Sequence, residues 1–165
     1  MGQMNVAKQA TEDITAFLLS LPYTQKVINV EDDRAFQKKD IDLVWHYHYK
    51  GIDHVKTIEI KGDTYSYSPN FFFETISNKT KQTPGCFMYS EADYFFYYFV
   101  GKRELNIIPL QEARTWFLTH QASFEMKTLA TGKLKVGGTM YETEGALIPK
   151  TRIRQALTNI RTFTI

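Results

Sequence analysis

The stretch Ile41-Asp42-Leu43-Val44-Trp45-His46-Tyr47-His48-Tyr49-Lys50-Gly51-Ile52-Asp53-His54-Val55-Lys56-Thr57-Ile58-Glu59-Ile60-Lys61-Gly62 decides the fold. Residues 41–49 and 54–62 are rich in β-branched and aromatic side chains that alternate with polar ones, the period of strands. Lys50-Gly51-Ile52-Asp53 between them reads as a turn, so the two runs form an antiparallel hairpin. A turn centred between Gly51 and Ile52 sets Asp42 opposite Lys61 and Val44 opposite Glu59. Opposed residues project to the same side of a sheet. Asp42, Glu59 and Lys61 then share one face, while Leu43, Trp45, Tyr47, Ile58 and Ile60 form a core face on the other. A one-residue slip would put Ile58 and Ile60 on the face opposite Leu43 and Trp45, so burial selects this register.

Outward from the hairpin, residues 4–20 carry Val6, Ala10, Ile14, Phe17 and Leu18 at helical spacing, with Pro22 ending the helix. Residues 25–30 read as a short strand and 31–39 as a charged loop. Residues 71–76 form a further short strand, and the polar stretch 78–85 ends in Pro84-Gly85 as a loop. Residues 92–100 and 104–110 read as a second hairpin turning at Gly101-Lys102, followed by a helix over 111–120. Residues 131–148, with Gly132, Gly137, Gly138 and Gly145, read as a loop or ribbon, and 151–160 as a last helix. The expectation is one α/β (α+β) domain over residues 1–165, with a central mixed, mostly antiparallel sheet flanked by helices. Residues 121–165 form a ribbon-plus-helix extension of it.

Composition sets the outer bounds. The length of 165 residues suits one domain, and 43% apolar residues supply a core. The net charge of +2 is too mild to announce a nucleic-acid binder by itself, so local clustering of cations is what matters. The single cysteine, Cys86, excludes an intramolecular disulfide and fits a reducing, cytoplasmic setting. It reads as a packed thiol, because no His or Asn context surrounds it. The N-terminus lacks a signal-peptide pattern and no stretch reads as a membrane span.

Two carboxylates and an ammonium on one sheet face have a chemical use. Neighbouring carboxylates repel, and each is costly to hold charged. A divalent cation relieves that repulsion, and hard oxygen donors suit Mg²⁺. Such an ion can activate water and offset charge on a phosphoryl oxygen, and a lysine beside it can stabilise the developing charge. The competing reading is an ordinary cross-strand salt bridge on a solvated face.

The segments Lys39-Asp40-Ile41-Asp42-Leu43-Val44 and Ile58-Glu59-Ile60-Lys61, joined at hairpin distance after an N-terminal helix, resemble the PD-(D/E)XK nuclease superfamily. The resemblance covers roughly residues 10 to 120. It is closest to small stand-alone restriction-endonuclease-like and Holliday-junction-resolvase-like proteins. It implies a restriction-endonuclease-like fold and hydrolysis of DNA with Mg²⁺ or Mn²⁺. Asp42, Glu59 and the Ile60 carbonyl would ligate the metal, and Lys61 would serve the attacking water. Glu12, in the helix segment Glu12-Asp13-Ile14, would support. Asp13 competes with Glu12, and Asp40 competes with Asp42. Ile41 stands where the family has its naming proline.

Other residues extend the expected site. Glu74, Lys79 and Lys81 line or approach the substrate path. The basic set Lys133, Lys135, Lys150, Arg152, Arg154 and Arg161 is the candidate phosphate-binding surface, with a solvated helix face as the alternative. His46 and His48 point the same way as Asp42, and a zinc site with His54 is a weaker alternative. The run 94–99 reads as core and dimer surface, and a sequence-specific reader of a palindrome at this size calls for a homodimer. Besides the endonuclease, two functions stay open. One is a non-catalytic DNA-binding accessory factor of the same fold in recombination or DNA processing. The other is a protein-interaction module.

Overall fold

The computed structural model describes residues 2–131 and 141–165. The expectations placed on Gly132, Lys133, Lys135, Gly137 and Gly138 lie outside the described residues. In chain order the elements are α1 Gln3–Ser20, β1 Thr24–Asn29, α2 Arg34–Gln37, β2 Leu43–Tyr49, β3 Ile52–Asp63, β4 Asn70–Asn78, β5 Thr83–Pro84, α3 Cys86–Tyr89, β6 Tyr94–Phe99, β7 Glu104–Pro109, α4 Leu110–His120, β8 Glu125–Thr131, β9 Tyr141–Pro149, α5 Lys150–Ala156 and β10 Arg161–Thr164.

The hairpin β2–β3 closes through the two-residue turn Lys50-Gly51. Both residues have positive φ (51° and 77°), the twist that two-residue hairpin loops require and that glycine adopts without strain. Leu43 pairs with Ile58, Val44 with Thr57 and Tyr49 with Ile52. This register differs by two residues from the expected one, in which Val44 faced Glu59. An even offset leaves every side chain on its expected face. It also brings the position opposite Asp42 to Glu59 instead of Lys61.

These strands belong to a six-stranded sheet of order β1-β2-β3-β6-β7-β10. Its pairings are antiparallel except β3 with β6, which run parallel. A second, antiparallel sheet has the order β5-β4-β9-β8. The fold is thus α+β with a mixed main sheet, but the expected single central sheet is corrected to two. The first face of the main sheet receives α1, where Ala10, Ile14 and Leu18 meet Leu43, Ile58, Phe96 and Tyr98. The other face receives the second sheet, where Phe71 and Phe73 meet Phe95, Tyr97 and Phe99. Residues Phe95 to Phe99 are all fully buried, because β6 is covered on both faces.

Several local expectations are revised. The charged segment 31–39 contains α2, whose first turn is capped by Asp33 accepting from the Ala35 N–H at 2.8 Å. The last helix stops at Ala156, and Arg161–Thr164 pairs with β7 as an edge strand. The segment expected as an extension contributes β8 and β9 to the second sheet and β10 to the main one. No helix among the described residues is long and apolar enough to cross a membrane.

Candidate active site

Strand β3 runs past the end of β2, whose last pairing there is Leu43 with Ile58. The edge of β3 beyond Ile58 would leave backbone groups unpaired, and buried backbone groups demand partners. Asp42 supplies one: its Oδ2 accepts from the Ile60 N–H at 2.8 Å, while its own N–H donates to the Ile58 carbonyl at 2.9 Å. The N–H and C=O of a strand residue face the same neighbour, so the Ile60 carbonyl is directed to the Asp42 side, beyond the last β2 pairing.

On the face toward the second sheet, Glu59 is 6% exposed and its Oε2 has no hydrogen-bond partner among the described residues. Asp40 joins it with an equally unpartnered Oδ2. Asp40 has a left-handed backbone (φ 53°), a conformation that aspartate tolerates better than most residues. Its carbonyl accepts from the Ser90 hydroxyl at 2.7 Å, which ties the start of the hairpin to the segment after α3. Lys61 lies next along the same face, its Nζ 3.7 Å from Glu74 Oε2 on β4.

Cys86 enters this group through a close approach. A Cβ on Gly85 would stand 2.4 Å from the Glu74 carbonyl oxygen, so only glycine lets α3 lie this near β4. A carboxylate oxygen of Asp40, one of Glu59 and the Cys86 sulfur then all fall within 4.8 Å of one another. Arg114 on α4 fastens the far end of α3, donating to the Phe87 carbonyl at 2.9 Å and the Ser90 carbonyl at 2.7 Å. The two sheets are tied by Tyr97, whose hydroxyl accepts from the Phe72 N–H at 3.1 Å and donates to Asp63.

Glu59, Lys61, Glu74 and Cys86 border a cleft of about 530 Å³. Val6 and Ala7 of α1, Glu59 and Lys61 of β3, and Phe72 and Glu74 of β4 line it, with Tyr141 and Thr143 of β9 on the far side. Burial sets its electrostatics. Burial and the nearby Glu74 carboxylate push Asp40 up to about 6. Burial also lifts Asp42 to about 6, against the Ile60 N–H, with a further push from Glu31. Burial, then Asp42 and Asp40, hold Glu59 well above the carboxylate range. Burial disfavours charge on Lys61, but the surrounding acids, Cys86 and Glu74 first, outweigh it and keep the ammonium charged. The site is a cluster of buried carboxyl groups, each hard to ionise beside the others, with one lysine among them.

The structure thus brings together Asp42, Glu59, Ile60, Lys61 and Glu74. It adds Asp40, which the sequence reading ranked behind Asp42, and Cys86, read there as a packed thiol. Glu12 stands elsewhere: it is exposed on α1 and pairs with Lys8 at 3.8 Å. Asp13 accepts from the Tyr98 hydroxyl at 2.7 Å and lies 3.4 Å from Arg103, on the opposite face. The helix reaches the acidic group through Thr11, whose hydroxyl donates to Glu31 at 2.7 Å.

The basic candidates are dispersed. Lys79 pairs with Glu144 at 3.3 Å, and Lys81 is exposed in the loop before β5. Lys150 is buried, 3.8 Å from the centre of the Phe99 ring and 3.3 Å from Glu104. Arg154 donates to Asn106 at 2.6 Å, and Arg152 lies over Phe124 at 4.4 Å. Arg161 is exposed on β10. His48 contacts Asp53 at 2.6 Å, while His54 stacks on Tyr47. Comparison of the chain with protein-family models, with curated proteins and with solved structures gives no match.

Proposed function

We propose that this protein is a metal-dependent phosphodiesterase acting on DNA, an endonuclease with Mg²⁺ or Mn²⁺ as its cofactor. The observation that carries the reading is the convergence of Asp42, Glu59 and Lys61 on one face of the β2–β3 hairpin, where Glu59 and Lys61 line a cleft and Glu59 has a buried, unpartnered oxygen. The order of helix, strand and hairpin supports the reading as well.

The donor set fits a hard divalent cation. Asp42, Glu59 and the Ile60 carbonyl would hold it, all oxygen donors. When bound, such an ion supplies activated water and charge compensation at a phosphoryl oxygen. Asp42 also holds the edge of β3 through the Ile60 N–H, which fixes the Glu59 and Lys61 backbone on either side. Lys61 keeps its ammonium charged among the acids and offers N–H donors to the attacked phosphate or to the attacking water. Glu74 restrains that ammonium from the opposite sheet. The apolar rims at Val6 and Phe72 limit water around the reacting group.

The test is cleavage of supercoiled, linear, branched and single-stranded DNA with Mg²⁺ or Mn²⁺, comparing wild type with Lys61→Ala. Metal-dependent cutting that the substitution removes is the expected result. DNA binding without cutting on any substrate would replace the enzyme with a non-catalytic accessory factor.

A further inference from the structure

Cys86 is the one cysteine of the chain. Its sulfur lies with a carboxylate oxygen of Asp40 and one of Glu59 inside a 4.8 Å spread. Donors around one tetrahedral ion, with metal–oxygen bonds of ~2.1 Å and a metal–sulfur bond of ~2.3 Å, stand roughly 3.6 Å apart. A modest inward shift gathers these three into that range.

A second observation points to a bound cation. Glu59 is more than nine-tenths buried, and one of its oxygens has no partner. Asp40 likewise has a buried oxygen without a partner. Buried carboxyl groups side by side are costly to ionise together unless a cation, or a proton they share, lies between them. Lys61 does not fill this role for both, since its ammonium is drawn toward Glu74 on β4.

The three donors are held by separate devices. Asp40 is fixed by the Ser90 hydroxyl on its carbonyl. Glu59 is fixed by its parallel pairing with Phe95 on β6. Cys86 is fixed by the Gly85 N–H donating to the Thr75 carbonyl at 2.9 Å and by the Arg114 contacts beyond it. Carboxylates alone suit Mg²⁺, Ca²⁺ and Mn²⁺, whereas a thiolate beside them moves preference toward zinc-like ions.

We infer that Asp40, Glu59 and Cys86 form a binding site for a thiophilic divalent cation of the Zn²⁺, Co²⁺ or Fe²⁺ type. The site shares Glu59 with the hydrolytic centre proposed above, but its occupancy needs no nucleic acid. Binding displaces the thiol proton, and the protons held on the Glu59 and Asp40 carboxyls, to solvent and leaves all three donors anionic.

The test is titration of the metal-free wild-type protein with Co²⁺, followed by absorption spectroscopy. Cobalt binding is expected to bring a sulfur-to-cobalt charge-transfer band in the near ultraviolet, which only Cys86 can produce. Zn²⁺ is expected to abolish the band, and Mg²⁺ at the same concentration to leave it. Cys86→Ser, checked for native circular dichroism, is expected to lose the band and bind Co²⁺ at least about tenfold more weakly. Co²⁺ bound by wild type with no band, no Co²⁺ binding at all, or unchanged affinity in a folded Cys86→Ser protein would each overturn the site. Cleavage assays separate the two readings. A protein that shows the band and cuts no DNA retains the cation site and loses the nuclease. A protein that cuts with Mg²⁺ and shows no band does the reverse.

Discussion

The Lys61 ammonium lies 3.7 Å from the Glu74 carboxylate, so an ion pair spans the cleft from the main sheet to the second one. If Lys61 acts on the phosphate in the transition state, Lys61→Ala lowers kcat on the order of 10²-fold with KM little changed. Its side chain is 30% exposed at the cleft, so the melting temperature should stay close to wild type. Single-turnover cleavage kinetics and thermal melts check both halves.

Stability should depend on pH in the direction opposite to ordinary acid unfolding. Asp40 and Asp42 have folded pKa values of about 6 against an ordinary 3.8. The folded protein therefore holds more protons than the unfolded chain between those values, and stability falls as pH rises from about 4 to about 6. For Asp42 the loss reaches up to about 3 kcal/mol. Melts of the chelator-treated protein at pH 4.5 and pH 7.5 should show the drop, Asp42→Asn should flatten it, and a divalent cation at pH 7.5 should reverse it. A melting temperature unaffected by Asp42→Asn at pH 7.5 would contradict this.

Gly85 admits no side chain. A Cβ there meets the backbone of Glu74 at 2.4 Å, which a rotamer change cannot relieve. Gly85→Ala is expected to destabilise the fold by about 1–3 kcal/mol, as overpacking does. It should also displace Cys86 from Asp40 and Glu59. Denaturant melts measure the first effect and the reactivity of Cys86 toward a thiol reagent the second.

Glu12 and Glu31 should separate cleanly. Among the described residues Glu12 is exposed and makes only an i,i+4 pair with Lys8, so Glu12→Gln is expected to change stability by less than about 0.5 kcal/mol, and, if the protein is the nuclease proposed, to leave cleavage unaltered. Glu31 pushes Asp42 upward through its charge, so Glu31→Gln is expected to lower the Asp42 titration point. Carboxyl NMR titrations of the two variants decide it.

The Lys150 ammonium is buried beside Glu104 and over the Phe99 ring. Glu104→Ala leaves the partly buried ammonium without its partner and is expected to cost about 1–3 kcal/mol. Equilibrium unfolding in urea checks it.

The hairpin was legible because its alternation is dense and one face is strongly apolar. The register differs by two residues from the one the alternation predicts, since the turn is centred one position earlier, between Lys50 and Gly51. The faces survived because strand geometry repeats every two residues. The second sheet was harder to see. Phe71 and Phe73 announce a buried strand, but Glu125–Thr131 lacks a clean apolar alternation and its partner strand follows a glycine-bearing stretch. Arg161–Thr164 is exposed along its whole length, so no burial pattern marked it as a strand.

Within the candidate site, Asp42, Glu59 and Lys61 lie on one local hairpin and could be read together. Cys86 arrives from a distant segment through the Gly85 approach, which no short-range spacing encodes. The cue available was Pro84-Gly85 immediately before the cysteine, which marks a chain reversal but not its neighbour. Asp40 ranks behind Asp42 on sequence because it precedes the strand, and its left-handed backbone is not encoded in the strand alternation. The helix carboxylate was assigned by analogy to Glu12, whereas α1 makes its contact through the hydroxyl of Thr11 to Glu31.

The pairing of β4 with β9 also has a consequence for how the molecule is built during synthesis. The acidic group and Cys86 lie within residues 40–86, yet the far wall of the cleft is β9, which pairs with β4 across a long sequence separation. Such non-local pairing closes late, because chain entropy must be lost before it is rewarded. A nascent chain extending to His120 would carry all the acids and the thiol while β4 still lacked the partner strand that covers its edge. The carboxylates would then be open to water, and able to ionise, until residues 121–165 had left the ribosome.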